Sequence, residues 1–229
     1  MSERTKMTIK VYSLLWDNFD AQIELLPVSR DRFLNNVLRA EVPLLSEAMA
    51  NRKLSGKANR WISGQLKRLD TKLINIGLDK DIAHDLNEIV KKSHMVRDAF
   101  FNRLIAFLRS SDALLDYFGL PKREDGKVGK DYVNIAKPVS PLATLSETFS
   151  DPLWYLHMAT NEIHNTSLYL LDFPSPKMDG FACWMDDSNV PHSKVNKIRE
   201  RDLAEIVRSL GEFEAETLIP VEGGVTLGR

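Results

Sequence analysis

The chain has 229 residues and a formal net charge of −1, with 43% hydrophobic and 28% charged residues. This balance is typical of a globular protein and argues against an intrinsically disordered one. No apolar run reaches the ~18–20 residues needed to cross a bilayer, and residues 1–6 lack the apolar segment of a signal peptide. Since Cys183 is the only cysteine, no intrachain disulfide can form. We therefore expect a cytoplasmic protein without a membrane partner.

An internal repeat at an offset of 67 residues is the most informative feature of the sequence. Three segments coincide without a gap: residues 7–11 with 74–78, 19–23 with 86–90, and 30–38 with 97–105. In the third segment, Arg-Asp-Arg-Phe-Leu-Asn aligns with Arg-Asp-Ala-Phe-Phe-Asn. Three separated segments in one register indicate a duplicated unit.

Each copy opens with a short segment in which apolar and other residues alternate. The apolar residues are Met7, Ile9 and Val11 in the first copy and Ile74, Ile76 and Leu78 in the second. A period of two predicts a strand with one buried face. Ser13 and Asp79 follow the strands and are predicted to cap the next helices.

Two segments with helical periodicity follow each strand. The inward residues of the first helix are predicted to be Trp16, Phe19, Ile23 and Leu26, and in the second copy Ala83, Leu86 and Val90. Breaks at residues 27–29 and 92–94 precede second helices over residues 30–45 and 95–118. The inward residues of these helices are predicted to be Phe33, Leu34, Val37 and Leu38, and in the second copy Phe100, Leu104 and Phe107.

A lone five-residue strand leaves its backbone groups without partners, and the repeat supplies the partner. We predict an antiparallel ribbon of residues 6–12 with 72–78. The alternating strand, the short turn and the second helix opening at Ser29-Arg30-Asp31 resemble the ribbon-helix-helix proteins of the MetJ/Arc class. The resemblance covers residues 5–118, with copies at about 5–45 and 72–118. It implies a mainly α fold, in which two ribbon-helix-helix units form one intramolecular two-stranded antiparallel ribbon with four helices. A mostly helical or irregular C-terminal region follows.

The resemblance implies binding to double-stranded DNA, with the ribbon in the major groove and the start of each second helix on a phosphate. The predicted base contacts are Lys6, Thr8, Lys10, Leu73 and Asn75. The predicted phosphate contacts are Ser29, Arg30, Ser93 and His94 at the helix starts, and Arg52, Lys53, Lys57 and Arg60 between the copies. Leu73 and Gly77 depart from the polar pattern. Recognition is then asymmetric, or Leu73 contacts a thymine methyl, or the second strand is mainly structural.

The basic segment over residues 46–69, with an expected short amphipathic helix around Trp61, either follows the DNA backbone or is a solvated linker. Residues 1–131 carry 23 Lys and Arg against 18 Asp and Glu, whereas the rest of the chain carries 8 against 14. The basic first half fits a polyanionic partner.

Beyond a DNA-binding domain over residues 1–120, we predict a linker over 121–137 and an oligomerisation or partner-binding region over 138–222. A helix is predicted over 194–210. Candidate partners of this acidic region are a second copy of the chain, RNA polymerase or another nucleoprotein complex.

No nucleotide-binding loop or catalytic signature is present, so we expect no enzyme activity, no cofactor and no metal. A zinc site or a Cys–His nucleophile would have to come from His157, His164, Cys183 and His192, whose spacing matches no known signature. The expected function is sequence-specific transcriptional regulation, as activator or repressor. The alternatives are an accessory protein that binds a plasmid transfer origin beside a relaxase, and a protein-interaction scaffold without DNA binding.

Overall fold

The computed structural model describes residues 3–25, 27–120, 151–173 and 176–195, and residues 197, 198, 201, 202, 204, 205 and 208. These residues are mostly helical and include one two-stranded antiparallel sheet. The main elements are β1 (Arg4–Tyr12), α1 (Ser13–Ile23), α2 (Arg30–Ala48), α3 (Gly56–Arg68), β2 (Thr71–Asp79), α4 (Lys80–Ser93), α5 (Arg97–Arg109), α6 (Asp112–Phe118) and α7 (Trp154–His164). Short 3-10 turns lie at Leu168–Leu170, Pro176–Phe181 and Asp187–Asn189. The chain divides into two compact units, Met1–Asp186 and Asp187–Arg229.

The two strands pair antiparallel along their whole length, from Arg4 opposite Asp79 to Tyr12 opposite Thr71. This confirms the predicted pairing. The buried strand residues are Met7, Ile9, Val11, Ile76 and Leu78. Ile74, which was also predicted inward, is only half-buried. Alternation therefore gives the sheet one apolar face against the helices and one face towards solvent.

The helices that follow the strands bury the predicted apolar residues, with two exceptions. The confirmed inward residues are Trp16, Phe19, Ile23, Phe33, Leu34, Val37, Leu38, Ala83, Leu86, Phe100, Leu104 and Phe107. Val90 is half-buried because its neighbour Ile89 takes the inward position. Leu26 lies outside the described residues.

The predicted helix caps are only partly correct. Ser13 is the first residue of α1, and Tyr12 takes the N-cap position because strand pairing continues to that residue. Asp79 does occupy the N-cap position of α4, but its side chain makes no capping hydrogen bond. The Asp79 carboxylate instead accepts a hydrogen bond from Arg39 Nη2 at 2.8 Å.

The helix predicted over residues 95–118 is two helices. Helix α5 begins at Arg97 and ends at Arg109, and α6 begins at Asp112. Ser110 separates them in a left-handed conformation with φ of 39°, which ends an α-helix. The expected amphipathic helix between the copies is α3, which buries Ile62 and Leu66.

Residues 151–186, which belong to the region predicted over 138–222, pack in the same compact unit as the strands. Arg103 of α5 is fully buried and reaches this segment. Its guanidinium donates to the carbonyl oxygens of Leu168, Leu171 and Phe181 at 2.5–2.9 Å. Because this segment is largely irregular and is held by a buried cation, its sequence has no hydrophobic periodicity from which this packing could be predicted. The predicted linker over 121–137 lies outside the described residues.

A second buried charge joins α2 to the same segment. Glu41 is fully buried, accepts a hydrogen bond from the Tyr169 hydroxyl, and lies 2.8 Å from His157 Nε2 of α7. Burial and then the Glu41 carboxylate raise the pKa of Tyr169 well above its usual value, so the hydroxyl keeps its proton and donates it. Arg103 and Glu41 therefore attach the segment to α5 and α2, one helix from each copy.

In the second unit, the described residues between 194 and 208 are helical, in agreement with the helix predicted over 194–210. Ile198, the described member of its apolar stripe, is exposed. None of the described helices combines the length and the apolar composition needed to cross a bilayer.

Candidate nucleic-acid interface

The outer face of the sheet presents three residue pairs away from the core. Directly opposed residues of an antiparallel pair project from the same face of the sheet. The pairs on this face are Lys6 with Gly77, Thr8 with Asn75, and Lys10 with Leu73. Every member of these pairs except Gly77 is exposed, and Leu73 is 66% exposed. The structure thus brings all five predicted base-contact residues together on one solvent-facing surface, which we call the outer face.

The sequence repeat and the pairing of the two strands both match Thr8 with Asn75. Thr8 and Asn75 correspond to each other in the two copies and lie directly opposite each other in the sheet. The Thr8 hydroxyl donates to Asn75 Oδ1 at 2.7 Å. An approximate twofold axis therefore passes through this pair and exchanges β1 with β2. The repeat is a property of the sequence and the register is a property of the fold, so the two observations support each other.

The unpaired edge of each strand is covered by an asparagine from the second helix of a copy. Asn35 Nδ2 donates to Gly77 O, and Asn35 Oδ1 accepts from the Asp79 amide, both at 2.7 Å. Asn102, the residue that corresponds to Asn35, makes both equivalent contacts with residues 10–12 of β1 at 2.9 Å. The two asparagines satisfy backbone groups that a two-stranded sheet otherwise leaves exposed. Sequence reasoning aligned them but assigned them no role, although a polar residue at an inward helix position in both copies was a usable signal.

Helices α2 and α5 begin beside these two edges. The N-cap of α2 is Ser29 and that of α5 is Val96, and neither side chain makes a capping hydrogen bond. The first amide groups of each helix therefore lack a side-chain cap. Helix N-termini with such amide groups attract anions, including phosphate.

An arginine ties the start of each helix to the centre of the sheet. Arg30 Nη2 donates to Asn75 O at 3.3 Å, and the corresponding Arg97 Nη2 donates to Thr8 O at 2.8 Å. The Arg30 guanidinium also lies 5.3 Å from the Trp16 ring centre. The two helix starts are thus fixed at equivalent positions on either side of the outer face.

Ser93 and His94 do not lie at the start of a helix, contrary to our prediction. Ser93 is the buried last residue of α4, and its hydroxyl donates to Ile89 O at 2.7 Å. His94 follows in a left-handed conformation with φ of 55°. The residues that begin α5 are Val96 and Arg97, 67 positions after those that begin α2. The alignment of the two copies already contained this signal, but the polar Ser-His sequence looked more like a helix cap.

Arg52 and Lys53 lie beyond the C-terminal end of α2, next to Leu54, whose amide donates to Ser93 O at 2.8 Å. Helix α2 begins at the sheet edge and has 19 residues, so its last turn lies about 28 Å along the helix from that edge. Both residues are exposed, and the Arg52 guanidinium lies 5.5 Å from the Trp184 ring centre. The phosphate contacts that we predicted for these two residues stay a prediction.

Lys57 and Arg60 are exposed on α3, whose first turns approach the start of α5. Asn59 Nδ2 donates to His94 O at 2.8 Å, and His94 lies three residues before α5 begins. These two basic residues therefore belong to the part of the molecule that flanks one helix start.

Two histidines of the first unit have hydrogen-bond partners, and its cysteine is buried. His157 contacts Glu41, and His164 Nε2 lies 2.7 Å from Phe118 O. Burial raises the pKa of Cys183 to about 11, so its thiol stays protonated at neutral pH. Among the residues that the structure describes, no group of three or more His, Cys, Asp or Glu is positioned to hold a metal ion.

No protein-family model matches this chain, and neither the curated proteins nor the solved structures show a significant similarity to it. The interpretation of the outer face therefore depends on its own residues: a polar surface on a two-stranded sheet, an approximate twofold axis at its centre, and one helix start on each side.

Proposed function

We propose that this chain is a sequence-specific, double-stranded DNA-binding transcriptional regulator. Its two ribbon-helix-helix units are β1-α1-α2 and β2-α4-α5, and together they form one intramolecular ribbon that reads the major groove. A two-stranded ribbon fits the B-DNA major groove, which is about 12 Å wide. Lysine donates hydrogen bonds to guanine, and asparagine pairs with adenine.

The observation that carries the proposal is the position of the two helix starts relative to the outer face. The approximate twofold axis at Thr8 and Asn75 relates the first turns of α2 and α5. A duplex in contact with the outer face has a phosphate backbone on either side of its major groove. The first amide groups of α2 and α5 would each hold one phosphate and so fix the register of the ribbon on the bases.

The testing experiment is selection of bound duplexes from a random DNA library at about 100–150 mM salt, where non-specific binding is weakened. Wild-type protein should enrich a motif, and a Lys6→Ala/Thr8→Ala/Lys10→Ala variant should not. The matched control is Lys194→Ala/Lys197→Ala, which removes two exposed positive charges from the second unit. If the wild-type protein enriches no motif, the proposal of sequence-specific DNA binding is wrong, and a protein-interaction scaffold becomes the better interpretation.

A single substitution sharpens the test once a motif is known. Lys10→Ala should weaken binding to the selected site by about 1–3 kcal/mol, the range for a good base contact, with little effect on unrelated DNA. Fluorescence anisotropy on both duplexes measures the difference. Equal affinity of wild type and variant for the selected site would contradict the assignment of Lys10 to a base.

A further inference from the structure

The outer face is chemically asymmetric although its backbone is close to twofold symmetric. The twofold axis exchanges residues that are 67 positions apart: Lys6 with Leu73, Thr8 with Asn75, and Lys10 with Gly77. Both lysines of this face lie on β1, and β2 offers neither a charge nor a hydroxyl there. A ribbon made of two identical chains would present the same side chains at exchanged positions and would suit a palindromic site. This ribbon presents two different ends.

At the first end, Lys6 lies opposite Gly77, where any side chain would have to displace the Asp31 carboxylate. A Cβ at residue 77 would lie 2.8 Å from Asp31 Oδ2, which accepts a hydrogen bond from the Gly77 amide at 3.0 Å. Asp31 holds α2 to the edge of β2 through this close approach. Within the three pairs of the outer face, Lys6 is therefore the one long side chain at this end.

At the second end, Lys10 lies opposite Leu73, whose side chain is largely in solvent. Leucine cannot donate or accept a hydrogen bond, so it cannot read the polar edge of a base. The apolar group that the major groove offers is the 5-methyl of thymine. Leu73 lies beside Lys10 on the same face, so both would meet neighbouring positions of one duplex.

We propose that the ribbon reads a non-palindromic site in one orientation, with Leu73 against a thymine methyl beside the base pair read by Lys10, and Lys6 reading alone at the other end. The inference rests on the proposed function, because it specifies which DNA the outer face recognises. In this inference Leu73 is a specificity-determining residue. The close approach of Asp31 explains why residue 77 is a glycine.

The test uses the full chain and the motif obtained by library selection. Each thymine of the selected site is replaced in turn by deoxyuridine, which removes only the methyl group. Replacement of the thymine at one position, at one end of the site, should lower the affinity of the wild-type protein about fourfold, the value for one buried methyl group. Leu73→Ala should bind the thymine and uracil duplexes equally. The control Leu14→Ala removes a leucine of similar exposure from α1 and should keep the uracil effect.

Leu73→Lys provides a second readout, because it makes the exchanged positions 6 and 73 identical. This exposed substitution should shift the selected base at that position from thymine towards guanine and make the motif more nearly palindromic. A palindromic wild-type motif, or an equal uracil effect in wild type and Leu73→Ala, would overturn the inference while DNA binding stands. Failure to enrich any motif would overturn the proposed function itself.

Discussion

The integrity of the ribbon should depend on the two edge asparagines more than on any exposed residue. Asn102 is fully buried and hydrogen-bonds the Tyr12 amide and the Lys10 carbonyl. In Asn102→Ala both backbone groups lose their partner at the edge of β1. A buried polar group left without a hydrogen bond costs about 1–3 kcal/mol. Because water can reach part of this edge, we expect a total loss of about 2–4 kcal/mol of unfolding free energy.

The corresponding substitution Asn35→Ala should cost a similar amount, since Asn35 makes the same contacts with β2. Urea denaturation followed by circular dichroism measures both losses. Asn87→Ala, on the exposed surface of α4, is the matched control and should change stability by less than about 0.5 kcal/mol. The two edge sites share no hydrogen-bond partner, so the double variant should lose the sum of the two single losses.

Amide hydrogen exchange separates this mechanism from general destabilisation. Asn102→Ala should accelerate exchange of the Tyr12 amide more than that of the Asp79 amide, and Asn35→Ala should do the reverse. The reasoning is refuted if each variant accelerates both amides equally, or if Asn102→Ala is no more destabilising than Asn87→Ala.

Three further predictions concern the contacts around the ribbon. Gly77→Ala should cost about 1–2 kcal/mol in urea denaturation because its Cβ would meet the Asp31 carboxylate; adding Asp31→Ala should cost less than the sum of the single losses, and strict additivity would contradict the clash. Arg103→Lys should cost at least about 2 kcal/mol, since one ammonium cannot replace a fork that reaches three carbonyl groups. Limited proteolysis should then cut first within residues 165–186, and a digestion pattern like that of the wild type would count against this anchor. Burial and then the Glu41 carboxylate raise the pKa of Asp151 above 3.8 in the folded protein. The folded state therefore binds the Asp151 proton more tightly than the unfolded state does. The stability gained from this proton is lost as the pH rises through the raised pKa. The urea midpoint of Asp151→Asn should therefore exceed that of wild type by an amount that grows above about pH 4 and then levels off; a difference independent of pH would exclude this titration.

The parts of the fold that follow from local periodicity could be predicted from the sequence. Alternation over residues 6–12 located β1 and its buried face, and helical spacing located most of the inward residues of α1, α2 and α5. The repeat went further, because its offset matched Thr8 with Asn75 and the strands pair with these residues opposite each other. The internal repeat therefore contained the information needed to predict which residues of the two strands lie opposite each other.

The parts that were missed depend on contacts between distant residues. Charged side chains on helices are rarely buried, so nothing in the local sequence marked Arg103 or Glu41 as anchors for residues 151–186. The start of α5 was misplaced for a different reason. A polar Ser-His sequence suggested a helix cap, whereas the structure begins this helix after Val96, which offers no capping side chain. The repeat places this boundary correctly, because the first residues of the two helices, Arg30 and Arg97, are 67 positions apart.

The two buried anchors show what a single-chain duplication permits. Arg103 corresponds to Asn36 in the first copy, and Glu41 corresponds to Leu108 in the second, so neither anchor has a chemical equivalent across the twofold axis. In a dimer of identical chains each buried charge would occur twice and would need two docked segments. One chain with two diverged copies can instead hold residues 151–186 in one arrangement on α2 and α5. The same divergence differentiates the two ends of the outer face, so a duplex bound in one orientation would also fix the direction in which this segment faces along the DNA.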